Sequence, residues 1–214
     1  MLDPQARSEV PEPTLPNSYA RMKALRLDRI NALREHLNAW LPERYSAYEA
    51  LDLEIGCGHG HWLRDYGTAH PERLCIGIDI MSRRVRLGNQ KREKRSLENI
   101  VFLKAEAREF LEAAPLSARF DRVFLLFPDP WPKARHHKKR LVQEPFLTQL
   151  KPYMTANGLF LFRTDHEGYF TWAQEAVSDH PDWKFKKGHP WPFESGSYFQ
   201  DLMDSWQSFI AELT

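Results

Sequence analysis

Cysteine is scarce in this chain of 214 residues: only Cys57 and Cys75 are present. Neither has the spacing of a metal ligand, so no metal is expected. Both read as small reduced hydrophobes, Cys75 in an apolar strand and Cys57 in a glycine loop. Long apolar runs are missing too. None approaches the ~20 residues needed to span a bilayer. The N-terminus has no signal-peptide h-region, so the expected setting is the cytoplasm with no membrane contact. Net charge is nearly absent, at +1. That excludes a globally basic binder, and contact with a polyanion must come from local clusters.

Two such clusters exist. Arg83, Arg84, Arg86, Lys91, Arg92, Lys94 and Arg95 stand against one acid, Glu93. A solvated helix face explains this run as readily as a binding role. The second cluster is Lys133, Arg135, Lys138, Lys139 and Arg140 with His136 and His137. It follows an apolar run ending in Pro128-Asp129-Pro130-Trp131. A carboxylate and an aromatic therefore lie just past the carboxyl end of a strand, beside positive charge. Open α/β sheets place ligands there, and the composition suits a base held near a phosphate backbone.

Residues 1–18 hold Pro4, Pro11, Pro13 and Pro16 and read as a flexible segment. Residues 19–214 read as one domain. The apolar spacing predicts a helix from Tyr19 to Trp40, stopped by Pro42. Strands are predicted at 50–55, 74–80, 100–103, 121–127 and 159–163. Helices are predicted at 61–69, 82–95, 108–114, 143–150 and 169–178. Aromatic alternation at 183–187 and 197–202 predicts one or two antiparallel edge strands. The fold class is therefore α/β: a Rossmann-like, doubly wound, mostly parallel sheet with helices on both faces and antiparallel C-terminal edge strands.

Glu54-Ile55-Gly56-Cys57-Gly58-His59-Gly60 follows a strand and opens a helix. The third glycine comes one position too early for the dinucleotide fingerprint, and the Lys-Ser/Thr of a phosphate loop is missing. Three glycines beside an acid still permit close approach of a nucleotide-like cofactor. Asp79, 19 residues after Gly60, ends the second strand, where a carboxylate can take both hydroxyls of a ribose. An acid there also suits a helix cap. Glu106, past the third strand, could accept from an adenine amino group or start a helix. Trp131 could stack on a base or belong to the core. Asp165 ends the fifth strand, where an N-cap role is the alternative, and Glu194 is a polar residue of the tail.

The glycine loop, Asp79 and the strand order resemble the S-adenosylmethionine-dependent methyltransferases. Within them, FPDPWPKARHHKKRLV and FRTD resemble the bacterial tRNA (guanine-N7-)-methyltransferase family, from about Leu51 to Asp165 and again at Phe193-Glu194. The resemblance implies that Glu54, Gly56, Gly58, Gly60, Asp79, Glu106 and Asp129 hold S-adenosylmethionine, with Asp129 the catalytic residue. It implies that Lys133, Asp165 and Glu194 contact the substrate and that Ala134 to Arg140 meets tRNA. The implied reaction is methylation of guanine N7 in the variable loop of tRNA. Neutral guanine has a free lone pair at N7, so this needs positioning rather than a general base. Carboxylates such as Asp129, Asp165 or Glu194 would stabilise the cationic product.

Three positions depart from the family pattern. Trp191 stands where the family has Thr in T-x-F-E, Asp79 stands in place of Glu, and Cys57 replaces a commonly larger residue. Trp191 keeps open a paralogue acting on a small heterocycle or another RNA. A non-catalytic RNA-binding protein is a further alternative, against which the retained glycines and acids argue. The sequence leaves a monomer and a homodimer equally open.

Overall fold

The structure, a computed structural model, describes residues 18–195 and 205–214. Seven strands form one sheet in the order β3-β2-β1-β4-β5-β7-β6. They are β1 (Ala50–Ile55), β2 (Arg73–Asp79), β3 (Ile100–Lys104), β4 (Phe120–Leu126), β5 (Met154–Thr164), β6 (Trp183–Phe185) and β7 (Gln207–Leu213). β1 to β5 pair in parallel. β7 runs antiparallel to β5, and β6 runs antiparallel to β7.

The helices are α1 (Ser18–Tyr45), α2 (His61–Ala69), α3 (Ser82–Glu93), α4 (Ala107–Ala113), α5 (Glu144–Leu150) and α6 (Glu167–Ser178). Alternation along the strands divides the core between the two faces of the sheet. Val123 and Leu125 of β4, with Phe160 and Phe162 of β5, pack with buried residues of α1, α4, α5 and α6. Phe124 and Leu161, between them in sequence, pack instead with α2 and Val85 of α3. Helices therefore cover both faces, as the α/β reading predicts.

Two expectations are corrected, and one strand is added. Pro42 does not stop α1, which continues to Tyr45. The proline removes one N–H and crowds the preceding turn, but buried Leu41 and the packing of Tyr45 on the core hold the last turn in place. β5 begins at Met154 rather than Leu159, because Met154 pairs with Phe120 across a register shift. The antiparallel edge strand expected at 183–187 forms as β6, and a strand that was not expected, β7 at Gln207–Leu213, lies between it and β5. The strand expected at 197–202 and the flexible segment before Ser18 lie outside the described residues.

A buried polar network fixes α2 against the sheet. Asp52 of β1 is fully buried and accepts from the Tyr66 hydroxyl at 2.5 Å and from Arg73 Nη2 at 2.6 Å. Arg122 of β4 donates to the Tyr66 oxygen at 2.7 Å. Burial, then the adjacent Asp52, pushes the Tyr66 phenol above its ordinary range. Breaking a buried pair of this kind leaves an uncompensated charge, costing about 3–5 kcal/mol. The helix that it anchors, α2, directly follows the glycine loop.

Candidate active site

A cleft of about 410 Å³ opens at the carboxyl ends of β1, β2 and β4. β1 lies between its two parallel neighbours. The cleft gathers Glu54, Gly56, Gly58, Asp79, Glu106 and Asp129, six of the seven residues expected at the cofactor. Gly60 is the exception. A Cβ there would lie 2.5 Å from the Phe102 ring, and its φ is +68°. The close approach of the loop to Phe102 and α3 requires a glycine there, and the residue does not line the cleft. Gly56 and Gly58 also have positive φ, but open space lies where their Cβ would be.

Glu54 is buried, and its Oε2 accepts no hydrogen bond among the described residues. Burial first, and then the neighbouring Asp79, push its carboxyl up to about 8. A buried carboxyl oxygen with no partner is costly. Here it faces a cleft, which suits a ligand carrying a donor or a positive charge. Asp79 has a different task. It accepts from the Gly58 N–H at 3.1 Å, from the Met81 N–H at 2.8 Å and from Arg84 Nη1 at 3.4 Å. It therefore ties the glycine loop to the start of α3, and its oxygens keep further acceptor capacity for a ligand. Glu106 caps α4 by accepting from the N–H groups of Arg108 and Glu109. It also lines the cleft, so the two readings of this acid are compatible. Cys57 lines the cleft as well, but burial raises its thiol far above the reactive range.

The loop after β4 forms the opposite wall. Phe127 and Trp131, bracketing Pro128-Asp129-Pro130, both adopt left-handed backbone, with φ of 47° and 45°. Bulky residues rarely do so, and such strain collects at functional sites. The Phe127 N–H donates to the Arg163 carbonyl at 2.8 Å, which holds the start of the loop. Trp131 is half-buried and lines the cleft rather than the core. Lys139 Nζ lies 4.4 Å from the centre of its ring. Asp129 is exposed at the rim. Tyr169 closes the floor; its oxygen accepts from the Leu141 and Val142 N–H groups, and burial pushes its phenol up to about 12.

The basic run forms a 3-10 turn over Ala134–Lys139. Lys133, Arg135, Lys138 and Lys139 are exposed, and His136 and His137 are half-buried. The His136 ring stands edge-on to Trp131 and the His137 ring edge-on to Trp172. Arg140 departs from the expected RNA contact. It is 3% exposed and donates to the carbonyls of Pro130 and Gly168, each at 2.9 Å. Its guanidinium lies over Tyr169 and Trp172. It clamps the PDPW loop to α6, so it has no surface left for a phosphate.

Asp165 is exposed just past β5 and does not line the cleft. Its neighbour His166 caps α6 by accepting from the Tyr169 N–H at 3.1 Å. Glu194 receives both terminal nitrogens of Arg163, at 2.8 and 2.7 Å. Arg163 also donates to Ser208 at 2.8 Å and lies 4.1 Å from the centre of the Trp191 ring. Trp191 is thus the stacking surface for a buried cation. Arg163 was not singled out in the sequence, although a charge that directly follows the apolar run Leu159–Phe162 and still lies within the strand is the signal that marks it. Arg84, which joins the cleft from α3, was hidden among its basic neighbours.

The sheet order and the cleft define a Rossmann-like α/β protein. Residues 49–198 match the model of a family described as "Putative methyltransferase", and the chain belongs to that family. It is 36% identical over 137 residues to a tRNA (guanine-N(7)-)-methyltransferase of Caulobacter vibrioides, spanning 64% of this chain and 60% of that protein. A protein of the same name from Macrococcus caseolyticus is 31% identical over 151 residues, spanning 69% and 68%. The match to the Thermus thermophilus protein of that name spans 46% of its length. The chain therefore covers about half to two thirds of these curated relatives. Among solved structures, the aminoglycoside resistance methyltransferase NpmB1 superposes with a TM-score of 0.59 at 16% identity, covering 85% of this chain and 93% of that one. That likeness shows the fold.

Proposed function

We propose that the protein transfers a methyl group from S-adenosylmethionine to N7 of a guanine in tRNA, in the variable loop. The observation that carries this reading is the single cleft that joins four carboxylates to Trp131 and Lys139. The curated relatives named above support the choice of tRNA and of N7.

S-adenosylmethionine supplies a methyl group activated by a sulfonium. The residues present fit it: Glu54 offers a buried acceptor without a partner, Asp79 an acceptor at the end of β2, and Gly56 and Gly58 open space. Glu106 and Asp129 complete the lining. The rest of the work is positioning. Trp131 offers a ring face for a base. Guanine N7 holds its lone pair without losing a proton, so no residue need act as base. Asp129 at the rim stabilises the cationic product, and Asp165 and Glu194 lie at the neighbouring strand end. Lys133, Arg135, Lys138 and Lys139 face solvent, where they meet phosphates. The proposed setting is the cytoplasm, and the proposed catalytic unit is one domain over residues 19–214.

Trp191 favours a second reading. Its ring stacks on Arg163, whose carbonyl holds the start of the PDPW loop, which suits methylation of another RNA or of a small heterocycle. One experiment separates the two. Purified protein is incubated with labelled S-adenosylmethionine and unmodified tRNA, and the tRNA is digested to nucleosides. Labelled N7-methylguanosine, lost in Asp129→Ala, supports the first reading. Donor binding without transfer to tRNA removes it and leaves the second. No donor binding at all leaves only an RNA-binding scaffold.

A further inference from the structure

The basic face of α3 has no part in the site described above. Along it Arg83, Arg86 and Gln90 are exposed, and Lys94, the C-cap of the helix, is exposed in line with them. Their spacing of three, then four and four residues puts them on one line along the helix. The line is about 16 Å long. Other cations of α3 have partners: Arg84 lies 3.4 Å from Asp79, and Arg92 lies 3.7 Å from Glu93. Arg95, just past α3, lies 3.9 Å from Asp65. Arg83, Arg86 and Lys94 form no ion pair among the described residues.

A merely solvated face does not account for the arrangement. The first turn of α3 carries no acid, and no side chain caps it. Arg83 lies in that turn, at the positive end of the helix dipole, where cations are unfavourable. Arg83 and Arg86 are also a like-charge pair three residues apart, which is unfavourable in its own right. A surface selected only for solubility and stability would carry acids here. Local choices that oppose the fold are expected where function requires them.

The position of the stripe is equally specific. α3 follows β2 and the basic 3-10 turn follows β4, with β1 between them. The two strand ends are therefore about 10 Å apart. Arg84 and Lys139 reach the same cleft from opposite sides. The His59 imidazole, also on the cleft wall, is held below its ordinary pKa first by burial, then by Lys91, Arg84 and Arg83. Arg83 directly precedes Arg84, which lines the cleft, so the start of the stripe lies beside the cleft mouth.

We propose that Arg83, Arg86 and Lys94 form a second RNA-docking surface, which binds backbone phosphates on the side of the cleft opposite the basic 3-10 turn. An RNA chain entering the cleft leaves it in two directions, and each direction then meets a basic surface. This inference rests on the proposed RNA substrate. It assigns phosphate contacts only, so it predicts affinity without sequence preference from this helix.

The test uses the full chain and the triple variant Arg83→Gln, Arg86→Gln, Lys94→Gln. Measured are the KM and kcat for tRNA methylation, the affinity for S-adenosylmethionine, the salt dependence of tRNA binding, and the melting temperature. The expected result is a KM raised roughly tenfold or more at physiological salt, and a salt slope shallower by about 2 units. kcat and donor affinity stay at the wild-type values, and the melting temperature equals or exceeds that of the wild type. Wild-type KM and slope in the variant would overturn the inference. So would a parallel loss of donor affinity, since α3 would then act through the cleft. A wild-type protein that neither binds nor methylates tRNA shows that the function proposed above has failed, and this inference with it.

Discussion

Burial keeps Glu54 protonated through neutral pH, with its carboxyl at about 8 against an ordinary 4.5. Between those values the folded chain holds a proton that the unfolded chain releases. The stabilising contribution is therefore complete below 4.5, declines as pH rises, and is lost above about 8. Glu54→Gln removes this dependence. Thermal melts from pH 5 to pH 9 should show the variant gaining a few kcal/mol over wild type at the alkaline end. Calorimetry should show about tenfold weaker binding of S-adenosylmethionine, because a bound cation draws off the Glu54 proton and the amide of the variant cannot supply that charge. A wild-type melting profile in the variant would remove Glu54 from this role. Arg140 gives a second prediction at the same scale. Arg140→Ala should cost about 2–3 kcal/mol by leaving the carbonyls of Pro130 and Gly168 without their donor. It should also slow methyl transfer, because the PDPW loop loses its tie to α6. Arg140→Lys should not restore either property, since one ammonium cannot reproduce the guanidinium fork. Trp191→Thr removes the ring against Arg163 and should cost about 1–2 kcal/mol by chemical denaturation. On the N7 reading it leaves kcat/KM for tRNA unimproved, and a marked rise would show that the tryptophan selects another substrate.

At the scale of the element, the glycine loop matters more for how it seats α2 than for any one ligand contact. Gly60 is the N-cap of α2, in left-handed backbone against the Phe102 ring. Gly60→Ala adds about 1–2 kcal/mol of backbone strain and a methyl group where a ring already sits. The expected outcome is a lower melting temperature together with weaker donor binding, because Gly56 and Gly58 line the cleft on the same loop. Normal donor binding in a destabilised variant would confine Gly60 to folding. Element boundaries were legible in the sequence wherever an apolar run met a glycine or an acid. β1 spans the expected residues 50–55 and α2 the expected 61–69. They were illegible where a distant contact decides. β5 starts early because Phe120 pairs with Met154, and α1 passes through Pro42 because its far side packs on the core.

At the scale of the whole molecule, a net charge of +1 hides a segregated surface. Substrate RNA should bind through screened phosphate contacts and the donor through buried polar ones. Raising salt from about 0.05 to 0.2 M should weaken tRNA affinity by roughly a hundredfold or more, while donor affinity changes less than about twofold, since buried groups are poorly screened. Filter binding and calorimetry on one preparation would check this. Equal salt sensitivity of the two would contradict the division between the cleft and its basic rims.

The sequence by itself determined the fold class, the strand ends that carry Glu54, Asp79 and Asp129, and the two basic runs. Periodicity, turn chemistry and charge are local properties, and each is readable over a few residues. Only the tertiary structure decided which of these groups are spent on the fold. Arg140 reads as one more cation of a basic run, yet it is buried between a loop and α6. Gly60 reads as one more glycine of a ligand loop, and only the structure shows that it also makes room for Phe102. Trp191 reads as a substitution in the substrate site, yet it stacks on an arginine that the sequence did not single out. In each case a deciding partner (Gly168, Phe102 or Arg163) lies more than twenty residues away in the chain, and only packing brings the two together.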